Sequence, residues 1–124
     1  MDLSVIVCCY KGEETIEKCL ESLCAQSYEN HKYEVIIVDD DSIDDSFSRI
    51  NSFLRNKHIK FPIIKYFKKE NKGLSVARNF GIEKASSSLV SFIDEDAKAD
   101  KDFVLNVVKT FKANPNINCL GGKV

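Results

Sequence analysis

The chain has 124 residues, a formal net charge of −1 and 44% hydrophobic residues. That length suffices for one domain with its own core, and the charge balance argues against a nucleic-acid partner. No apolar run approaches the roughly 20 residues of a membrane-spanning helix, and the N-terminus lacks the pattern of a secretion signal. The five cysteines form no CxxC pair, and most of them are predicted to be small buried apolar residues in a reducing compartment. We therefore expect a cytoplasmic protein, with any association with the inner face of a membrane arising through regions outside this sequence.

The first half of the chain predicts two strand–helix units. Residues 3–9 are a continuous apolar run typical of a strand buried on both faces, and apolar residues then recur at helical spacing between positions 16 and 24. Residues 35–38 form a second apolar run, and helical spacing of apolar residues returns around positions 47–54.

The second half continues this alternation. Strands are predicted at residues 63–67 and 89–93, helices at 75–85 and 103–111, and residues 119–124 would begin a fifth strand. Because parallel strands need helical crossovers, the order predicts a three-layer α/β/α fold with a mainly parallel, Rossmann-like sheet that is incomplete after its fifth strand. In such sheets ligands bind beyond the carboxyl ends of the strands.

An acidic segment, Asp39 to Ser42, follows the second strand. Crowded carboxylates repel one another unless a ligand, a metal or hydrogen-bond donors offset the charge, so we interpret Asp40 as a ligand contact. Ser42 and Asp45 are spaced as a capping box for the next helix. The alternative is that Asp41 and Ser42 only form a turn and a cap.

A second acidic group, Asp94, Glu95 and Asp96, ends the fourth strand. Carboxylates two residues apart at a strand end suit Mg²⁺ or Mn²⁺, which take one or two protein carboxylates together with substrate phosphates. The alternative interpretation is a solvated turn that leads to a helix cap at Asp100.

Cationic residues surround the start of the third predicted helix. Gly73 permits close backbone approach, and cations together with helix N-terminal amides favour a phosphate. Lys68, Lys69 and Lys72 are nevertheless interpreted as a solvated face, whereas Arg78 fits a site and a structural role equally well.

Tyr10 ends the first strand, where its ring can stack on a base or simply be half-buried. Four features of the sequence together resemble the family 2 glycosyltransferases. They are Tyr10 at the end of the first strand, Val-Asp39-Asp40, Gly73 followed by Ala-Arg78-Asn, and the Asp-x-Asp at residues 94–96. Their GT-A domain typically reads as an apolar strand ending in Thr-Tyr-Asn, then Val-Asp-Asp-Gly-Ser, then Gly-x-x-x-Ala-Arg-Asn-x-Gly, then Asp-x-Asp. The resemblance covers the whole chain.

The resemblance implies an inverting, metal-dependent transferase. Such an enzyme moves a sugar from a nucleoside-diphosphate donor, here expected to be UDP-linked, to a hydroxyl of a glycan or lipid-linked acceptor in polysaccharide or cell-surface glycan synthesis. The implied cofactor is Mn²⁺ or Mg²⁺, held by Asp96, with Asp40 on the base and Arg78 near the diphosphate. The residues implied to bind the nucleotide are Cys9, Tyr10, Glu13, Asp40, Arg78 and Asp94.

The sequence departs from the family pattern at three places. Cys8-Cys9 replaces Pro-Thr, Lys11 replaces asparagine, and Asp41 replaces glycine, although aspartate tolerates left-handed backbone well enough for the turn to survive. In the family the general base and much of the acceptor site lie beyond the fifth strand. We therefore expect residues 1–124 to be an N-terminal nucleotide-sugar-binding portion that has no catalytic residue and lacks the acceptor half.

Two other functions compete with this interpretation. One is a non-catalytic nucleotide-binding module. The other is a phosphotransferase of the haloacid-dehalogenase type, with Asp94 as nucleophile and Asp96 as acid/base, which is disfavoured because its acidic pair belongs on a strand near the N-terminus.

Overall fold

A computed structural model describes residues 1–122, within which four strands and four α-helices alternate. They are β1 (Leu3–Cys9), α1 (Ile16–Cys24), β2 (Tyr33–Asp39), α2 (Ser46–Leu54), β3 (Ile63–Lys68), α3 (Leu74–Lys84), β4 (Val90–Asp94) and α4 (Phe103–Ala113). The predicted order of these eight elements is confirmed. The fifth strand predicted at 119–124 is not formed over residues 119–122, and Lys123 and Val124 lie outside the described residues.

The sheet is entirely parallel and has the strand order β3-β2-β1-β4. The chain adds β2 and then β3 on one side of β1, and it crosses back to place β4 on the other side. This reversal puts the topological switch point between β1 and β4. Ligands of open α/β sheets bind in the crevice outside the carboxyl ends of the strands at such a point.

Helices cover both faces of the sheet, as predicted. Odd-numbered residues of β1 pack in one core with apolar residues of α1, α2 and α4, and Ile6 and Cys8 pack in a second core with Ala77 of α3. Gly81 permits the close approach of α3, since a Cβ at this position would lie 2.5 Å from Cγ2 of Ile6. Within residues 1–122, no helix combines the length and the apolar character needed to cross a membrane.

The start of α2 differs from the predicted capping box. The helix begins at Ser46, whose backbone N–H donates to Oδ1 of Asp44 at 3.0 Å. Ser42 instead accepts a hydrogen bond from the backbone N–H of Lys11 at 3.0 Å. Ser42 therefore joins the loops that follow β1 and β2 and does not cap the helix.

Candidate functional site

A cleft of about 490 Å³ opens at the carboxyl edge of the sheet. Its walls are the ends of β1, β2 and β4 and the first turn of α3, so it lies at the switch point between β1 and β4. Five residues that the sequence assigns to the site line this cleft: Cys9, Tyr10, Asp40, Asp94 and Asp96. Residues 94–96 thus lie beside Cys9 and Tyr10 at the end of β1, as the parallel pairing of β1 with β4 requires.

Asp39 holds the end of β2 in place. Its side chain is fully buried, with Oδ1 accepting from the N–H of Ser42 at 2.9 Å and Oδ2 accepting from the hydroxyl of Tyr66 at 2.6 Å. Both carboxylate oxygens are thereby engaged inside the protein. Asp39 consequently organises the loop that presents Asp40 to the cleft.

Asp40 lines the cleft and is also held by the segment between β3 and α3. Oδ1 accepts from Nζ of Lys69 at 3.1 Å and from the backbone N–H of Lys72 at 3.3 Å, and Oδ2 accepts from the N–H of Gly73 at 3.2 Å. Asp40 and Lys69 are almost entirely buried. The lysine that sequence reasoning placed on a solvated face is therefore the counter-ion of Asp40.

Two of the departures from the family pattern adopt left-handed backbone conformations. Lys11 has a φ of 53° and Asp41 a φ of 57°, so each non-glycine residue tolerates the turn in which it stands. Nζ of Lys11 lies 5.3 Å from the centroid of the Tyr10 ring, and Asp41 pairs with Lys68 at 3.6 Å. The turn at Asp41 forms as the sequence predicts, and the turn at Lys11, for which the sequence made no prediction, forms as well.

In the acidic turn after β4, Glu95 is partly buried, whereas its neighbours Asp94 and Asp96 are exposed. Burial raises the pKa of Glu95, and the nearby carboxylates of Asp96 and Asp94 raise it further. A Cβ on Gly12 would lie 2.6 Å from Cγ of Glu95, so the glycine leaves room for this side chain under the cleft. Sequence reasoning missed this packing because the two residues lie in different loops.

The donor set of the acidic turn fits a divalent cation that shares its ligands with a substrate. Asp96 is exposed, and none of the described residues donates a hydrogen bond to its carboxylate or forms an ion pair with it. Among residues 1–122, no three metal-binding side chains converge into a complete site. Mg²⁺ and Mn²⁺ accept such a sparse protein contribution because waters and phosphate oxygens supply the remaining ligands.

Arg78, on the second turn of α3, does not line the cleft itself but contacts Asp94, which does. Its guanidinium nitrogen lies 3.7 Å from Oδ1 of Asp94, and its guanidinium carbon lies 5.7 Å from the centroid of the Phe92 ring. Both partners are partly exposed, so this ion pair is weak and can be exchanged for a ligand anion. The first turn of α3, at Gly73 and Leu74, lines the same cleft and directs the positive end of the helix dipole towards it.

Glu13 does not line the cleft. Its Oε2 accepts a hydrogen bond from the backbone N–H of Asp45 at 3.2 Å, and its own N–H donates to Asp44 at 3.4 Å. These contacts join the loop after β1 to the start of α2. Its assignment to the nucleotide therefore stays a prediction, and the geometry gives Glu13 a structural contact that the sequence did not suggest.

The cleft thiols are poor nucleophiles. Burial raises the pKa of Cys8 to about 11 and that of Cys9 to about 11. Because the thiolate is the reactive form, neither side chain is suited to covalent catalysis near neutral pH. Cys9 instead contributes a small apolar surface beside the cleft.

A parallel sheet with helices on both faces and an acidic, helix-bordered cleft at its switch point is the architecture of the GT-A glycosyltransferases. Residues 4–123 match the family model described as "Glycosyl transferase family 2". The chain belongs to this family. Because the chain belongs to the family 2 glycosyltransferases, the haloacid-dehalogenase-type phosphotransferase alternative is excluded.

Similar proteins agree with this assignment. The chain is 33% identical to the glucosyl-dolichyl phosphate glucuronosyltransferase of Haloferax volcanii, over all of this chain and 38% of that protein. It superimposes on S. aureus TarS 1-349 in complex with UDP with a TM-score of 0.81 at 26% identity, covering 93% of this chain and 33% of the other. The mannosyltransferase PcManGT from Pyrobaculum calidifontis in complex with GDP-Man and Mn²⁺ gives a TM-score of 0.83 at 25% identity, covering 94% and 33%. The chain thus spans less than two fifths of the length of these proteins.

Proposed function

We propose that residues 1–124 are the donor-binding portion of an inverting, metal-dependent glycosyltransferase that uses a UDP-linked sugar. The proposal rests on how the acidic and aromatic side chains are distributed along the cleft. Asp40 stands at the end of β2 and Asp96 beyond the end of β4, with Tyr10 of the intervening strand between them. Two strand spacings of about 4.8 Å separate β2 from β4, which suits a ligand with a base at one end and a diphosphate at the other.

Each group then has a role set by its chemistry. Asp40 accepts a hydrogen bond from the base, the Tyr10 ring stacks on the nucleoside, and Asp94 meets the ribose or a metal-bound water. Arg78 and the first turn of α3 attract the diphosphate. Asp96 would hold a divalent cation, which would supply positive charge to stabilise the departing nucleoside diphosphate.

The remaining parts of the proposal concern the whole protein. The name of the Haloferax volcanii relative supports a lipid-linked or glycan acceptor in cell-surface glycan synthesis. We infer that the general base and acceptor site belong to the part that longer relatives have in addition. Five free cysteines, three of them buried, favour a cytoplasmic location, with membrane association through other regions.

Titration calorimetry with UDP, with and without Mn²⁺, tests the proposal. Metal and nucleotide should strengthen each other's binding, because linkage is reciprocal, and Asp96→Ala should abolish that coupling. Asp40→Ala should weaken UDP in both conditions, whereas Glu83→Ala, an exposed carboxylate on α3, should change neither. Affinity of about 1 mM, roughly −4 kcal/mol, is sufficient for this portion. Binding that ignores the metal and both cleft substitutions would contradict the proposal.

A non-catalytic nucleotide-binding module remains the second candidate for the isolated chain. We expect the purified 124-residue chain to bind UDP and to transfer no sugar from a UDP-sugar to an acceptor. Transfer that is lost in Asp96→Ala would show that a general base lies within these residues, against our proposal for its location.

A further inference from the structure

A buried ion pair controls how Asp40 faces the cleft. Lys69 directly follows β3, its side chain is only 12% exposed, and its Nζ lies 3.1 Å from Oδ1 of Asp40. Its backbone N–H donates to the carbonyl of Asp39 at 2.9 Å, so the main chain fixes it in register with the end of β2. Lys69 is therefore held in place both by its backbone and by its charge.

The donors on Asp40 leave few acceptor positions free. A carboxylate offers about four lone-pair positions, two on each oxygen. Lys69 and the N–H of Lys72 occupy both positions on Oδ1, and the N–H of Gly73 occupies one on Oδ2. One position, on Oδ2, remains for a ligand.

A single free acceptor discriminates between bases. Uracil presents one N–H between two carbonyls, whereas guanine presents two adjacent N–H donors that a carboxylate satisfies only with both oxygens. Proteins similar to this chain have been solved with UDP and with GDP-Man, so the family resemblance alone does not fix the base. A buried donor that finds no acceptor weakens binding by about 5- to 150-fold.

We propose that Lys69 is a specificity-determining positioning residue, which occupies Oδ1 of Asp40 and so restricts the donor nucleotide to a base with a single N–H edge. This inference rests on the proposed function, because it takes Asp40 as the base contact. Lys69 itself touches no base and acts through Asp40.

The unmodified chain provides the first test. The ¹⁵N-labelled chain is titrated with UDP, GDP and 3-methyluridine 5′-diphosphate in the presence of Mg²⁺, and the amide signals of Lys72 and Gly73 report on Asp40 directly. We expect UDP to bind at least about tenfold more tightly than GDP and than the methylated analogue. Equal affinity for UDP and GDP would overturn the inference and leave the proposed function standing. No binding of any nucleotide would overturn both.

Substitution of Lys69 provides the second test. Lys69→Met frees one position on Oδ1, so the preference for UDP over GDP should fall by about fivefold or more, while Lys69→Arg, which still donates to Oδ1, should retain it. Lys65→Met is the matched control, since Lys65 on β3 forms an ion pair with the buried Glu34, 2.8 Å away, at the opposite edge of the sheet. If Lys69 had a purely structural role, both methionine variants would lose thermal stability, and the ratio of UDP affinity to GDP affinity would stay unchanged in both. That result would overturn the inference. If Lys69→Met does not fold, the comparison of UDP with GDP on the unmodified chain remains, and equal affinity for these two nucleotides would overturn the inference.

Discussion

Replacing Glu34 by glutamine is expected to destabilise the fold without weakening nucleotide binding. Glu34 is fully buried near the start of β2, at the edge of the sheet opposite the cleft. Its carboxylate accepts from Oγ of Ser4 at 2.6 Å and from the N–H of Ser86 at 2.7 Å, and it pairs with Nζ of Lys65 at 2.8 Å. The group thus joins β1, β2, β3 and the segment after α3.

The expected loss follows from the charge that glutamine leaves unpaired. Removing one partner of a buried ion pair costs about 3–5 kcal/mol, and we take the lower end, about 3 kcal/mol, because the ammonium of Lys65 can reach solvent. The Lys65 side chain is 33% exposed, whereas that of Glu34 is 0% exposed. Glu29 and Lys32 lie at a similar distance, 2.7 Å, but are exposed, so Glu29→Gln should affect stability much less than Glu34→Gln.

The pH dependence has a definite sign. Burial alone raises the pKa of Glu34, but hydrogen bonds from Lys65, Ser4 and the N–H of Ser86 outweigh it and hold the pKa below its ordinary value of 4.5. A group with a depressed folded-state pKa stabilises the protein above its unfolded pKa, and this contribution is lost as the pH falls through the folded value. The difference in stability between wild type and Glu34→Gln should therefore shrink below pH 4.5.

Urea unfolding followed by circular dichroism measures this difference at about pH 7 and about pH 4. We expect a difference of about 3 kcal/mol at the higher pH, a smaller difference at the lower pH, and an unchanged dissociation constant for UDP. A loss below about 1 kcal/mol, or one equal at both pH values, would refute the assigned ion pair.

Three further outcomes follow from the packing around the cleft. Gly12→Ala should lower the free energy of unfolding by about 1–3 kcal/mol in urea melts and weaken UDP binding, because the new Cβ collides with Glu95. Unchanged UDP binding would mean that the contact between residues 12 and 95 does not affect the nucleotide site. Tyr66→Phe should cost about 1–3 kcal/mol in the same assay, because Asp39 loses a buried hydrogen-bond donor, and a neutral effect would mean that water replaces it. A chromogenic disulfide reagent at about pH 8 should modify Cys119 fastest, since this thiol is exposed while burial raises the pKa of the other four; mass spectrometry of the labelled peptide checks the order.

Much of the fold could be predicted because burial on both faces of a parallel sheet leaves a clear trace in the sequence. The apolar run of β1 and the helical spacing in α1 and α4 gave the right elements. The start of α2 could not be predicted, because Ser42 has the residue type of a cap but finds its partner, Lys11, in another loop. Strand formation at residues 119–122 would need a neighbouring strand, and a local pattern does not reveal one.

The candidate site was predicted in outline, since strand ends of a parallel sheet collect at one edge. Tyr10, Asp40 and the Asp94–Asp96 turn do line one cleft. The partner of Asp40 was missed, because Lys69 stands in a run of lysines typical of a solvated face. The parallel register that sets Lys68 opposite Asp39 would have revealed it, but that register depends on which strands are neighbours.

We propose that the cleft between β1 and β4 binds a nucleoside diphosphate together with a divalent cation at Asp96. Paramagnetic broadening by Mn²⁺ in the ¹⁵N spectrum tests it most directly, since broadening marks the residues nearest the metal. With UDP present, Mn²⁺ should broaden the amides of residues 94–96 and of Tyr10 first, and Asp96→Ala should remove this effect. Broadening that centres on the acidic loop at residues 39–45, or that is the same without UDP and in Asp96→Ala, would contradict the account.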